Sequence, residues 1–99
     1  MPDFLAKVHD RSVDREHIRR AFYELMRPSY AFINLNETDR EYLYDLILSH
    51  RDKLFQNIHL NQTEIDHEYY KIWERRLALG FHENDLKIFK EVLGSFKAN

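Results

Sequence analysis

The chain reads as all-α: a compact bundle of four main helices, with room for a short N-terminal helix before them. Three observations predict this. Glycine and proline occur only twice each in 99 residues, too little turn chemistry for a fold of many short strands. Apolar residues recur at spacings of three and four in four separate stretches. Each stretch has a capping residue close to its start. A 43% hydrophobic and 14% aromatic content supplies core material for one helical domain spanning residues 1–99, since a chain this long can bury about 65% of its unfolded surface.

Ahead of the main helices, Pro2 to Val8 can form a short turn of helix, with proline at its favoured first position. The first main helix is expected to start near Ser12. It carries Ile18, Ala21, Phe22, Leu25 and Met26 on one face until Pro28 interrupts it. Tyr30 to Leu35 then connects it, in part helically, to the second helix. That helix opens at Asn36 or Thr38, where Thr38-Asp39-Arg40-Glu41 matches a capping box, and runs to about Ile58. Over "YLYDLIL", Tyr42 to Leu48, it is apolar around most of its circumference, the mark of a central helix with neighbours on two sides.

The third main helix begins after Leu60, with Asn61 as cap, Glu64 completing the box and Leu60 stapled onto Ile65. Its apolar face holds Ile65, Tyr69, Ile72, Trp73 and Leu77. The fourth carries Leu86, Phe89, Val92, Leu93 and Phe96, with Gly94 near its end. Asn36-Glu37-Thr38 and Asn61-Gln62-Thr63 fit the N-glycosylation pattern, but both asparagines have a simpler reading as helix caps.

Charge and composition narrow the function. Fifteen basic residues against 17 acidic ones give a net charge of -2, evenly spread over the two halves, so no overall field draws nucleic acid. With no cysteine there is no disulfide or thiolate metal site, which fits a reducing compartment. The N-terminal stretch lacks a signal peptide's apolar run, and no segment approaches the ~20 apolar residues of a membrane span. A cytoplasmic protein is expected.

The stretch "WERRLALGFHENDLKIF", Trp73 to Phe89, has the outline of a DNA-reading helix-turn-helix, with Leu79, Phe81, Leu86 and Phe89 at suitable positions around Gly80. Two features weigh against it. The small residue wanted four places before the glycine is Arg76, and the second helix opens with Glu83, Asn84 and Asp85, which repel phosphate. In the structural alternative Gly80 closes one helix, Phe81 staples onto Leu86, and His82 with Asp85 caps the next.

Metal binding finds little support. Glu64 and His67 have the Glu-x-x-His spacing of di-iron bundles but point away from the apolar face, while Asp14 and His17 reach only its flank. No cofactor and no catalytic residue is predicted. The serines lie in no nucleophile elbow, and there is no phosphate-cradling glycine loop. His50 and Arg76 are polar residues inside apolar arcs, where each must find a partner. They could line a small ligand pocket, although a satisfied core histidine and a groove-lying arginine explain them as well.

The remaining candidates are surface groups. Tyr23 and Tyr42 on polar helix sides, and Tyr70 at an edge, could anchor an interface. Arg15 and Arg19, with Arg20, could meet an acidic partner. The reading reached from sequence is a small intracellular, non-enzymatic protein-protein interaction module, a regulator, inhibitor or adaptor that could also form a homodimer. The alternative is a ligand-sensing bundle using His50 and Arg76; the third is a helix-turn-helix DNA-binding regulator using residues 73–93.

Overall fold

Asp14, not Ser12, starts the first long helix. Its carboxylate accepts from the His17 backbone N–H at 2.8 Å, while Ser12 closes a local turn by donating its N–H and hydroxyl to Asp10. The computed structural model describes residues 2–97 and contains α1 (Pro2–Val8), α2 (Arg15–Met26), α3 (Tyr30–Ile33), α4 (Glu37–Leu54), α5 (Gln62–Glu74), α6 (Arg76–Leu79) and α7 (Glu83–Gly94). The four main helices are α2, α4, α5 and α7. The one-turn helices α3 and α6 sit at corners, and the short N-terminal helix is formed. Among the described residues there is no strand, only an isolated parallel bridge between Leu60 and Lys97.

Local chemistry sets each boundary. Two residues before Pro28, α2 ends; Ser29 then caps α3 by accepting from Phe32 N–H at 3.1 Å. Asn36 caps α4 by accepting from Asp39 N–H at 2.8 Å. The capping box expected at Thr38 is not used, because Glu41 turns instead to Arg19. The far end of α4 lies at Leu54 rather than near Ile58. There Asn57 takes a left-handed conformation (φ 62°), and Ile58 and Asn57 N–H groups donate to Lys53 and Leu54 carbonyls, the paired bonds of a Schellman ending. Asn61 and Glu64 form the full capping box of α5, with Leu60 and Ile65 both buried. Both Asn-x-Thr asparagines are thus caps.

The third helix does not continue through Leu77 as its periodicity suggests. Its hydrogen-bond ladder breaks at Arg75, and α6 follows. Gly80 at φ 72° then closes α6, with Phe81 N–H on the Arg76 carbonyl and Gly80 N–H on that of Leu77, a second Schellman ending. Asp85 reaches back to accept from His82 N–H at 3.0 Å and starts α7. The break swings Leu77 out of the apolar face, leaving it 84% exposed.

The core gathers on Phe22. Its ring meets Phe4 of α1 (6.0 Å between centroids), Phe32 of α3 (5.4 Å), Tyr44 of α4 (6.2 Å) and Phe89 of α7 (6.0 Å), in tilted and edge-on geometries that aromatic quadrupoles favour. Along α4, Leu43, Tyr44, Ile47, Leu48, His50 and Arg51 are all buried, as a central helix requires. The radius of gyration, 12.9 Å, is that of a compact body of about 100 residues. No helix of the described residues is long and apolar enough to cross a membrane.

Candidate interaction surface

Two kinds of charged cluster occur, and only one leaves groups for a partner. Along the seam between α2 and α4, charge is consumed internally. Arg19 grips Glu41 through two N–H groups and lies 4.6 Å from the Tyr44 ring centre. Tyr23 joins them, donating to Glu41 at 3.2 Å. The Arg19 guanidinium holds the Glu41 carboxyl below its usual range against the effect of burial, and Glu41 raises Arg19 in turn. Burial, then the Glu41 charge, pushes the Tyr23 phenol up. Arg15 pairs with Asp52 at 3.1 Å in an exposed bridge. Arg19 and Tyr23, candidates for partner binding on sequence grounds, are therefore already engaged within the chain.

Arg51 went unnoticed in the sequence pattern. Buried in the last turn of α4, it donates to the carbonyls of Val8 (2.9 Å), Asp10 (2.8 Å) and Val13 (2.6 Å). It thereby straps the α1–α2 loop onto α4, and burial lowers its pKa. The signal was available: position 51 follows Tyr44, Ile47 and Leu48 at helical spacings of seven, four and three.

His50 and Arg76 have separate surroundings. The His50 Nε2 lies 3.5 Å from Glu68 Oε2, its ring is 6.0 Å from that of Phe96, and its buried Nδ1 has no partner among the described residues. Burial works to raise the Glu68 carboxyl, but Lys71 at 3.1 Å and then His50 outweigh it and hold the group low. Phe96 is also stacked with His9 (5.6 Å between ring centres), whose Nε2 is 3.0 Å from Ser95 Oγ; burial lowers the His9 pKa. Arg76 instead lies over Trp73, 3.6 Å from the ring centre, with Nη1 donating to the Trp73 carbonyl at 2.8 Å. Neither residue lines the cleft at the α3–α6 corner or the depression beside Tyr70 and Trp73.

Exposed aromatic and aliphatic side chains occur on α3, α5 and α6. Tyr70 stacks on Trp73 (5.5 Å, 16° between planes) and Arg76 lies over Trp73 as well, so residues three apart on the chain share one ring. Leu77, on α6, lies at a different depression from Tyr70 and Trp73, which line one with Tyr69 and Lys90. Tyr30, 83% exposed, shares with Leu77 a cleft of about 590 Å³ lined also by Pro28, Ala31, Leu35 and Leu79. His82, Asn84 and Asp85 at the start of α7 line the cleft too. Tyr42 stands apart on the α4 side, under Arg75 at 4.9 Å, which also faces Asp39 at 3.5 Å.

Of the residues weighed for metal, Asp14 and His17 pair with each other at 2.9 Å, and Glu64 serves the Asn61 cap. Among the described residues no three His, Asp or Glu side chains gather as a metal would need. The Trp73–Phe89 corner is two helices joined through α6 and its Schellman ending, with Arg76 committed to Trp73. Comparison with known proteins adds no relative: no family model matches the chain, and neither a curated protein nor a solved structure matches it.

Proposed function

We propose that this protein is a non-enzymatic interaction module of the cytoplasm, docking through the face formed by α3, α5 and α6. The observation that carries the reading is the set of exposed side chains Tyr30, Leu77, Tyr70 and Trp73, the first two lining the cleft and the last two lining a separate depression with Lys90. Tyrosine, tryptophan and arginine are the residue types that dominate binding energy at interfaces. Here they are held in place before any partner arrives: Tyr70 and Arg76 both pack on Trp73, so little side-chain freedom remains to be lost on binding. Leucine and tyrosine exposed to more than four-fifths of their surface beside a concave wall favour association over a solvated face.

Site-specific photo-crosslinking in the native host tests this. A photo-reactive residue at position 77 or 30 is expected to give protein adducts, and one at exposed Gln56 is not. Equal labelling at all three positions, or none at 77 and 30, overturns the proposal.

A further inference from the structure

We infer that a partner inserts the charged end of a lysine or arginine side chain into the cleft between α3, α6 and the start of α7, with Asp85 as its counter-ion. The inference rests on the docking reading above and names the chemistry of what docks. Asp85 is the one carboxylate among the residues lining this cleft, and no lysine or arginine lines it.

Two of the four polar or charged side chains that are buried among the described residues, Ser29 and Asp85, line the cleft, at 6% and 7% exposure. Each has a capping duty that uses only part of it. Ser29 Oγ accepts from the Phe32 N–H at 3.1 Å, and a hydroxyl oxygen has a second lone pair. Asp85 Oδ2 accepts from the His82 N–H at 3.0 Å. The other Asp85 oxygen has no hydrogen bond, and the group has no ion pair, among the described residues. Asn34 commits its amide N–H to the Tyr30 carbonyl at 2.8 Å, which leaves its oxygen to accept. The α7 N-terminus offsets part of the Asp85 charge, but a carboxylate so little open to water is stabilised further by a cation that hydrogen-bonds to it.

Leu35, Leu77 and Leu79 supply apolar lining for the methylene stem of such a side chain, which packs along apolar surface while its head reaches a charge. A volume of about 590 Å³ falls among sites of roughly 300–1,000 Å³ that hold small ligands, room for one long side chain and the backbone that carries it. An anion would meet the Asp85 charge with no lysine or arginine to offset it. A wholly apolar group would leave the carboxylate and the Asn34 oxygen without donors.

Amide chemical shifts of the isotope-labelled whole chain, titrated with pentylammonium as the minimal probe, test the inference. The amides of Leu35, Leu79 and Asn84 are expected to move with a millimolar Kd, the range open to so small a probe. Pentanol and hexanoate, with similar stems, should bind at least ~10-fold more weakly, because neither makes the charge-assisted bond. Asp85→Asn keeps an acceptor for the His82 N–H and should weaken pentylammonium at least ~10-fold, while Asp85→Glu, which keeps both charge and capping box, should stay within about threefold. No movement of the cleft amides, equal binding of hexanoate, or indifference to Asp85→Asn overturns the inference; should that variant fail to fold, the three probes on the wild type decide. Crosslinks from positions 30 and 77 without probe binding would leave the docking reading standing alone. Probe binding without crosslinks would overturn both the docking reading and a partner's side chain as the occupant, assigning the cleft to a free small cation.

Discussion

Arg19 and Arg76 have the same side chain and each lies against an aromatic ring, yet they do opposite things. On the α2–α4 seam Arg19 finds Glu41, Tyr23 and the Tyr44 ring, so its donors and charge are used within the fold. At the α5–α6 corner Arg76 finds one carbonyl and the face of Trp73, and its other donors have no partner among the described residues. The difference lies in the neighbouring helix. A carboxylate on α4 faces α2, whereas α5 breaks at Arg75 and Arg76 meets no carboxylate among the described residues. Residue type alone does not decide whether an arginine–aromatic cluster is a brace; the presence of a carboxylate on the neighbouring helix does.

The contrast breaks most visibly at Arg51, the most buried of the internal arginines. Arg51→Ala should cost about 3 kcal/mol in chemical denaturation, since three carbonyls lose a charged donor inside the protein. A loss under ~1 kcal/mol would place this strap with the dispensable surface pairs. Next comes Arg19→Ala, at about 1–2 kcal/mol, because Glu41 is left half-buried without its cation.

The same pair has a pH signature. The folded-state value of Glu41 is depressed, so its contribution is complete above the ordinary value of 4.5 and disappears as pH falls through the lower folded value. Melting temperatures between pH 5 and pH 3 should therefore fall less steeply in Glu41→Gln than in the wild type; parallel curves would contradict the assignment.

At the corner the expected stability effects are smaller. Gly80→Ala should cost about 1 kcal/mol from the positive φ alone, because the added methyl would lie 3.9 Å from Ala31 Cβ, an ordinary contact. Tyr70→Ala and Leu77→Ser should each change stability by less than ~0.5 kcal/mol, measured by the same denaturation, while weakening association. A large loss at either position would turn these side chains into core and remove the contrast.

The four main helices were legible because each repeats apolar residues along one face and starts near a side chain that can accept from the free N–H groups. Boundaries were less legible where two capping residues competed. Asp14 won over Ser12 because Asp10 had already taken Ser12, and Asn36 won over Thr38 because Glu41 was drawn across to α2. These outcomes depend on tertiary neighbours that a single helix does not reveal. The exposure of Leu77 was hidden for a related reason: periodicity assumes an unbroken helix, and the break at Arg75 cancels the register. The helical pattern places Tyr70 at an edge and the residue is half-exposed, whereas Tyr30 carries no such signal because the stretch from Tyr30 to Leu35 reads as a connection.

Because Phe22 shares its ring with side chains from α1, α3, α4 and α7, no run of consecutive helices can close the core alone. Amide exchange at the centre of α2 should then proceed only through opening of the whole chain, with the same protection as the inner face of α4. Fragments ending before α7 would have a breach at the hub, and folding would wait for the encounter of segments almost 70 residues apart, as from Phe22 to Phe89. A helical protein assembled this way gives up some of the speed that local contacts usually confer and gains a single, indivisible unfolding step.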